Sequence, residues 1–461
     1  MRRIKNKAKR LKRKSELQTH VNKRFEDSNR GLEEGYQQGL EAGFKSFDSY
    51  FDGTSIIVTS HNEAESVKRC IESIINYTSL SYEIIVVDNN SSDGIEHYLK
   101  QLNGMVRYHI LSHNHGFAGA MNRGLMMAKG TTILLLSNDV VCTDNWLHNL
   151  LICLKSNPSI GIVGAVSNGM NGEQRIEPFY RSVENMQEFA TLNNISDPSR
   201  WSTSERLSFQ CLLFSRDLLE KVGFLDEGCI ERPYVEEDYC IRVRNLGLKL
   251  VYAGDAFVHL TSDDKKIRGS EEEAEKKKGL LYFNDKWNKP YEVLNSLAHN
   301  SGIHWTDARQ LAEWDERRLG ESAFYPQAIA VKGLTETIFW IEDGVRRAIE
   351  GIWDGPVIQL SQIDLRRWTI GPVLKEEEVQ QKLDLVQGGG QLTELHGSIC
   401  IKADGGMYYM EKGMKRAIVS PLAAEAWFMN SRSQISLLES ELLDVPDGLP
   451  IIGPTKLRQA L

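Results

Sequence analysis

EIIVVDNNSSDG, residues 83–94, is a short run of β-branched apolar residues that ends in an acid and opens into small polar ones. Such a run, without polar alternation, is the pattern of a strand buried on both faces. The same texture recurs to either side. SIIVTS (Ser55–Ser60) precedes it, YHIL (Tyr108–Leu111) and TILLLS (Thr132–Ser137) follow, and helical spacings fill the intervals at Glu63–Tyr77, Gly94–Leu102 and Ala118–Ala128. This alternation predicts an α/β domain with a parallel sheet covered by helices. Ligands of such sheets sit outside the carboxyl ends of the strands. Chemistry is therefore expected at Thr59-Ser60-His61-Asn62-Glu63, at Asp88-Asn89-Asn90-Ser91 and at Ser137-Asn138-Asp139. The same residue types also suit helix caps, so none of these stretches signals function by itself.

A carboxylate beyond a strand end, as Asp139 is, can hold a hard divalent cation that also binds a diphosphate. Further on, Glu236-Glu237-Asp238 places three acids in a row, and VYAGDAFVHL closes a strand-like segment on His259. An acidic helix start explains the triplet equally well, because the helix dipole favours it. Convergence of Asp139, His259 and the acids before Tyr239 on one cleft is the spatial expectation.

The bulk numbers leave room for two or three domains. With 461 residues, 41% of them hydrophobic and 26% charged, the composition is that of a globular protein. A net charge of -8 gives no reason to expect nucleic acid as a partner. Nine of the first fourteen residues are nevertheless Lys or Arg, and Gly35, Gly39 and Gly43 recur at helical spacing. Residues 1–50 read as a basic helical arm, either a flexible leader or an arm for peripheral contact with an anionic membrane surface. No apolar stretch follows it that would make a secretory signal or a membrane span. Seven scattered cysteines, none in a CxxC pair, point to a reducing cytoplasm rather than to zinc or disulfides.

The motifs from Thr59–Glu63 through VVDNNSSDG, NHGFAGAMNRG, LLLSNDV, GFLDE and VEEDYCIRVRNLG to VYAGDAFVH resemble, in order, those of family-2 inverting glycosyltransferases. Their flavour is that of the rhamnosyltransferase-like branch. The resemblance implies a GT-A fold over residues 51–300, a UDP- or dTDP-sugar donor and Mg2+ or Mn2+. Carried over, Thr59, Asn62, Glu63, Asp88, Asn89, Asn122 and Asn138 would bind the nucleotide sugar. Asp139 and His259 would hold the metal, with Ser137 replacing the usual first acid. Asp238 would be the catalytic base, with Glu237 as second candidate. An inverting transfer needs such a carboxylate to take the proton of the attacking hydroxyl. A glycan, a lipid-linked sugar or a protein are the acceptors considered, in the cytoplasm or at the inner face of the membrane. A sugar nucleotidyltransferase would instead show a Gly- and Arg-rich loop after the first strand. A binding protein with a decayed core would have lost Asp139, Asp238 and His259.

Residues 301–330 read as a linker, and beyond it the chain repeats itself. WIEDGVRRAI (Trp340–Ile349) matches YMEKGMKRAI (Tyr409–Ile418), and QIDLRRWTIGP (Gln362–Pro372) is paired with SELLDVPDGLP (Ser440–Pro450). A duplicated β-rich module, about 331–387 and 398–455, with hairpin turns at Asp343-Gly344 and Lys412-Gly413, is expected. As an accessory for binding or assembly, its removal would leave donor chemistry intact.

Overall fold

The computed structural model describes residues 49–102, 104–170, 172–180, 185–261, 270–288, 320–387, 397–402, 405–432, 434–436, 442 and 445–458. The basic arm, the triple glycine at 388–390 and the expected linker up to residue 319 lie outside these.

The strands foreseen in the sequence form: β1 (Phe51–Ser60), β2 (Tyr82–Asp88), β3 (Val106–Ile110) and β4 (Gly130–Leu136). The helices between them are α1 (Ala64–Tyr77), α2 (Ile95–Gln101) and α3 (Gly116–Met127). Then come β5 (Val140–Val141), α4 (Trp146–Ser156), β6 (Ile160–Ser167), α5 (Met186–Asn193), β7 (Trp201–Ser204) and β8 (Cys211–Ser215). The domain closes with α6 (Arg216–Val222), α7 (Arg232–Asn245), β9 (Lys249–Leu260) and α8 (Ser270–Trp287). Successive strand residues face opposite sides. Ile57, Ile85, Val87, Ile133 and Leu135 therefore enter one core, and Ile56, Val58, Ile84, Val86, Leu134 and Leu136 another.

The sheet has nine strands in the order β3-β2-β1-β4-β8-β6-β9-β5, with β7 on β9. β1, β2 and β3 pair in parallel as expected, but the sheet as a whole is mixed. β8 runs antiparallel to both β4 and β6, and β5 and β7 run antiparallel to β9. An apolar run buried on both faces reads the same in either direction, so its composition could not disclose this.

The C-terminal duplication takes one topology twice. The first copy has β10 (Ile329–Lys332), β11 (Ile338–Glu342), β12 (Val345–Glu350), β13 (Ile358–Gln359), α9 (Gln362–Arg367) and β14 (Thr369–Ile370), followed by β15 (Leu374–Lys375) and α10 (Glu376–Gln387). The second has β16 (Ile399–Ile401), β17 (Met407–Glu411), β18 (Met414–Ala417), α11 (Pro421–Ala426) and β19 (Gln434–Ser436). Ala330 pairs with Trp340 as Ile399 pairs with Tyr409. Both hairpins turn through two left-handed residues, Asp343-Gly344 and Lys412-Gly413, as two-residue turns require. Beyond the hairpins the paired register shifts by one. Gly371 N donates to Arg346 O and Gly448 N to Lys415 O, so these two glycines correspond. In the second copy α11 stands between the hairpin and β19, whereas in the first copy α9 follows the equivalent strand β13.

The stretch read as a linker is, from Gly320 on, part of the core. Residues 320–324 form a short 3-10 turn in which Glu321 and Phe324 are buried, followed by a buried Tyr325. One continuous cluster contains Val235 and Tyr239 of α7 together with Tyr325, Trp368, Tyr409 and Trp427. The modules are built into residues 52–461 as one unit.

Candidate active site

A cavity of about 860 Å3 opens at the carboxyl ends of β1, β2 and β4, bounded by the start of α3 and by Arg232 of α7. That is ample for a nucleotide-sized ligand. Its loops are cross-tied by the polar residues that end the strands. Asn62 N donates to Ser91 Oγ at 2.8 Å, and Ser92 N donates to Asn62 Oδ1 at 2.9 Å. Asp93 Oδ2 accepts from Ala64 N at 2.7 Å, so α1 is capped from the neighbouring loop rather than by its own N-cap residue. Asn89 joins the second loop to the third, accepting from His115 N at 2.8 Å and donating to Asn114 Oδ1 at 2.7 Å. Asn138 Nδ2 donates to Thr59 O at 3.1 Å and to Glu63 Oε2 at 2.8 Å, joining the fourth loop to the first.

Of the residues singled out from sequence, Thr59, Asn62, Glu63, Asn89, Asn138 and Asp139 line this cavity. Asp139 stands just before β5, and its carbonyl accepts from Thr261 N and Oγ1, each at 3.0 Å. His259, two residues earlier on β9, pairs with Val141 and is 7% exposed. Tyr180 Oη lies 2.5 Å from His259 Nδ1. Asp139 and His259 thus come from adjoining ends of one two-stranded ribbon, though His259 is not among the residues that line the cavity.

Three expectations are corrected by burial. Asp88 is wholly buried and folds its carboxylate onto its own loop, accepting from Ser91 N at 2.9 Å and Ser91 Oγ at 2.5 Å. Asn122 faces away from the cavity. It donates to Leu225 O and Glu227 Oε1, both at 3.0 Å, and accepts from Leu225 N, which pins the GFLDE loop to α3. Asp238 is also fully buried, and both of its oxygens are taken. Arg242 Nε donates to it at 2.8 Å, Lys286 Nζ at 2.6 Å and Trp287 Nε1 at 3.0 Å. Burial would raise the Asp238 carboxyl, but Lys286 and Arg242 outweigh it and hold the group below the usual carboxylate range. Glu237, half-buried, does not line the cavity either.

Around Asp238 the charges form a closed set. Lys286 also donates to Asp226 at 2.6 Å, and Arg242 Nη1 donates to Glu321 at 3.0 Å. Asp226, Cys229 and Asp238 offer ligand atoms within 4.8 Å of one another. The Lys286 ammonium already bridges both carboxylates, so the cation there is the protein's own.

One residue at the cavity carries weight that sequence reading missed. Arg232 reaches into it, and its Nε donates to Glu236 Oε1 at 2.6 Å. Nη1 donates to Ser137 Oγ at 3.2 Å, and the guanidinium lies 5.2 Å from the centre of the Phe117 ring. The available signal was the four-residue spacing of Arg232 and Glu236, which puts them on one helix face.

Residues 55–223 match the family described as Glycosyl transferase family 2. Among similar proteins, poly(ribitol-phosphate) beta-N-acetylglucosaminyltransferase TarP of Staphylococcus aureus (strain N315) is 33% identical over 129 residues, which are 27% of this chain and 39% of that protein. Glycosyltransferase AglE of Haloferax volcanii is 27% identical over 211 residues, 44% of this chain and 64% of that protein. The chain thus spans less than two thirds of the length of either relative. The crystal structure of GalNAc-T7 with UDP, GalNAc and Mn2+ superposes with a TM-score of 0.42 at 15% identity, over 58% of this chain and 55% of that one. The residues that match Glycosyl transferase family 2 are thus the ones that carry the cavity's loops on β1, β2 and β4.

Proposed function

We propose that this chain transfers a hexose or deoxyhexose from a nucleoside diphosphate sugar to an acceptor hydroxyl, with inversion. The observation that carries the reading is the cavity itself. In one place, at the strand ends of the region that matches Glycosyl transferase family 2, it gathers a strand-end carboxylate, Asp139, and a cation, Arg232, that is paired to a second carboxylate, Glu236. Thr59, Asn62, Glu63, Asn89 and Asn138 would hold the nucleotide. UDP and dTDP donors, the rhamnosyl-type branch and a glycan, lipid-linked or protein acceptor remain the finer readings. Cell-surface glycan assembly from the cytoplasmic side is the setting proposed. Cysteines that are all free and buried suit a reducing compartment, and no helix among the described residues is long and apolar enough to cross a membrane.

Asp139 and His259, a carboxylate and an imidazole from adjoining ends of the β5–β9 ribbon, are of the types that would hold a divalent cation. With Nδ1 facing Tyr180, coordination would fall to Nε2, and a nitrogen ligand favours Mn2+ over Mg2+. When bound, such an ion supplies charge neutralisation for the departing diphosphate.

Glu236 takes over the base role first given to Asp238. A base must reach the hydroxyl it deprotonates, and Asp238 is sealed between Arg242 and Lys286. Glu236 does not itself line the cavity, but it is partly exposed and ion-paired to Arg232, which does. Glu237 remains the second candidate.

Incubation with UDP-, dTDP- and GDP-sugars and Mn2+ should release a nucleoside diphosphate, and Asp139→Asn should lower that release by about 100-fold or more. Pyrophosphate as product would favour a nucleotidyltransferase. No turnover with any donor would favour a binding protein.

A further inference from the structure

Arg232 is held by groups that leave much of its charge available. Its plane is set by the Phe117 ring, its Nε by Glu236 and its Nη1 by the neutral hydroxyl of Ser137. Nη2 is buried and has no hydrogen-bond partner among the described residues. A carboxylate at position 137 would close a second ion pair with this guanidinium. Serine satisfies one N–H without neutralising it. The Nη1–Nη2 edge of this planar cation, with Nη2 unpaired and Nη1 on a neutral hydroxyl, suits a phosphate oxyanion.

Resting on the donor reading above, we propose that Arg232 binds the donor's diphosphate and exchanges Glu236 for phosphate when it does so. Before the donor arrives, the 2.6 Å ion pair occupies the Glu236 carboxylate. Once the guanidinium turns to the more highly charged diphosphate, that carboxylate is released to accept the proton of the acceptor hydroxyl. The donor therefore binds first, and the base becomes competent only in its presence. In the transfer step the hydroxyl oxygen bonds to the anomeric carbon as the bond to the diphosphate oxygen breaks. The proton goes to Glu236, and the electron pair leaves with the diphosphate beside Arg232.

The test compares binding of UDP, GDP and dTDP with binding of their parent nucleosides by calorimetry, at one fixed Mn2+ concentration. Arg232→Gln should weaken the diphosphate by about ten-fold or more and leave the nucleoside unchanged. Arg232→Lys, which keeps the charge but not the fork, should recover part of the loss. Glu236→Gln should bind the diphosphate several-fold more tightly, since it frees the guanidinium from its competitor. A structural role for the pair would not produce opposite signs in its two halves. The inference is overturned if Arg232→Gln keeps the full preference for diphosphate over nucleoside, or if Glu236→Gln loses as much as Arg232→Gln. If the wild type binds none of the three diphosphates, the donor reading itself fails, and this inference with it.

Discussion

Glu236 and Asp238 lie two residues apart on one helix, and the difference between them is where each ends up. Two residues along a helix are about 200° of rotation, so the pair faces nearly opposite ways. Asp238 turns inward and is wholly buried against Arg242, Lys286 and Trp287. Glu236 stays partly exposed and meets Arg232, a residue that lines the cavity. Both are carboxylates with a cation at 2.6–2.8 Å. Only the one near solvent space can exchange its partner for a substrate. An acid in a saturated buried network is an anchor, because moving it would strand the charges around it.

The largest test of this division removes residues 320–461. Glu321 leaves Arg242, and the aromatic half of the shared core is lost with Tyr325, Trp368 and Trp427. We expect no soluble folded protein, checked by expression and circular dichroism. A folded, donor-binding fragment would show that the modules are accessory after all. Next in size, Asp238→Ala should cost roughly 3–5 kcal/mol in urea unfolding, the range for breaking a buried ion pair. Glu236→Ala should cost less than about 1 kcal/mol, since its pair with Arg232 is partly exposed. Turnover should rank the two the other way: Glu236→Gln folds normally and loses about 100-fold or more in kcat. Equal stability losses at 236 and 238 would erase the distinction.

The strand-and-helix rhythm from Ser55 to Leu136 was legible because β-branched runs and capped helices are local signals, and the first strands and helices fall within a few residues of their predicted positions. Strand direction was not legible at β8, nor was the register of the second repeat past α11, because neither leaves a local mark. In the site, the polar strand ends were readable as a group. Their individual orientation was not. Asn122 and Asp88 have residue types that suit a ligand equally well, and only the proximity of Leu225, Glu227 and Ser91 decides against it. The burial of Asp238 was illegible for the same reason: its partner Lys286 lies 48 residues on along the chain, and Glu321, which pairs with Arg242 beside it, lies in the stretch taken for a linker.

The sealed cluster should also announce itself through pH. Glu321 faces Arg242, Lys286, Asp364, Arg367, Tyr239 and Tyr325. Burial, joined by Asp364, outweighs Arg242 and pushes its carboxyl up to about 7. An unfolded chain would release that proton near pH 4.3. The stability Glu321 contributes is therefore complete below that value and is lost as pH rises through about 7, an effect on the order of 3 kcal/mol. Asp238 acts with the opposite sign: held below its ordinary value, it contributes stability above pH ~3.9 that is lost as the pH falls further. For these two groups together stability is greatest near pH ~4, and the loss on the alkaline side is spread between about pH 4 and 7. Thermal unfolding should show Tm falling from pH 5 to pH 8 in the wild type, with that slope flattened in Glu321→Gln. A slope retained in the variant would place the titrating group elsewhere, and the cluster at the module boundary would then be a fixed anchor without a proton to give up.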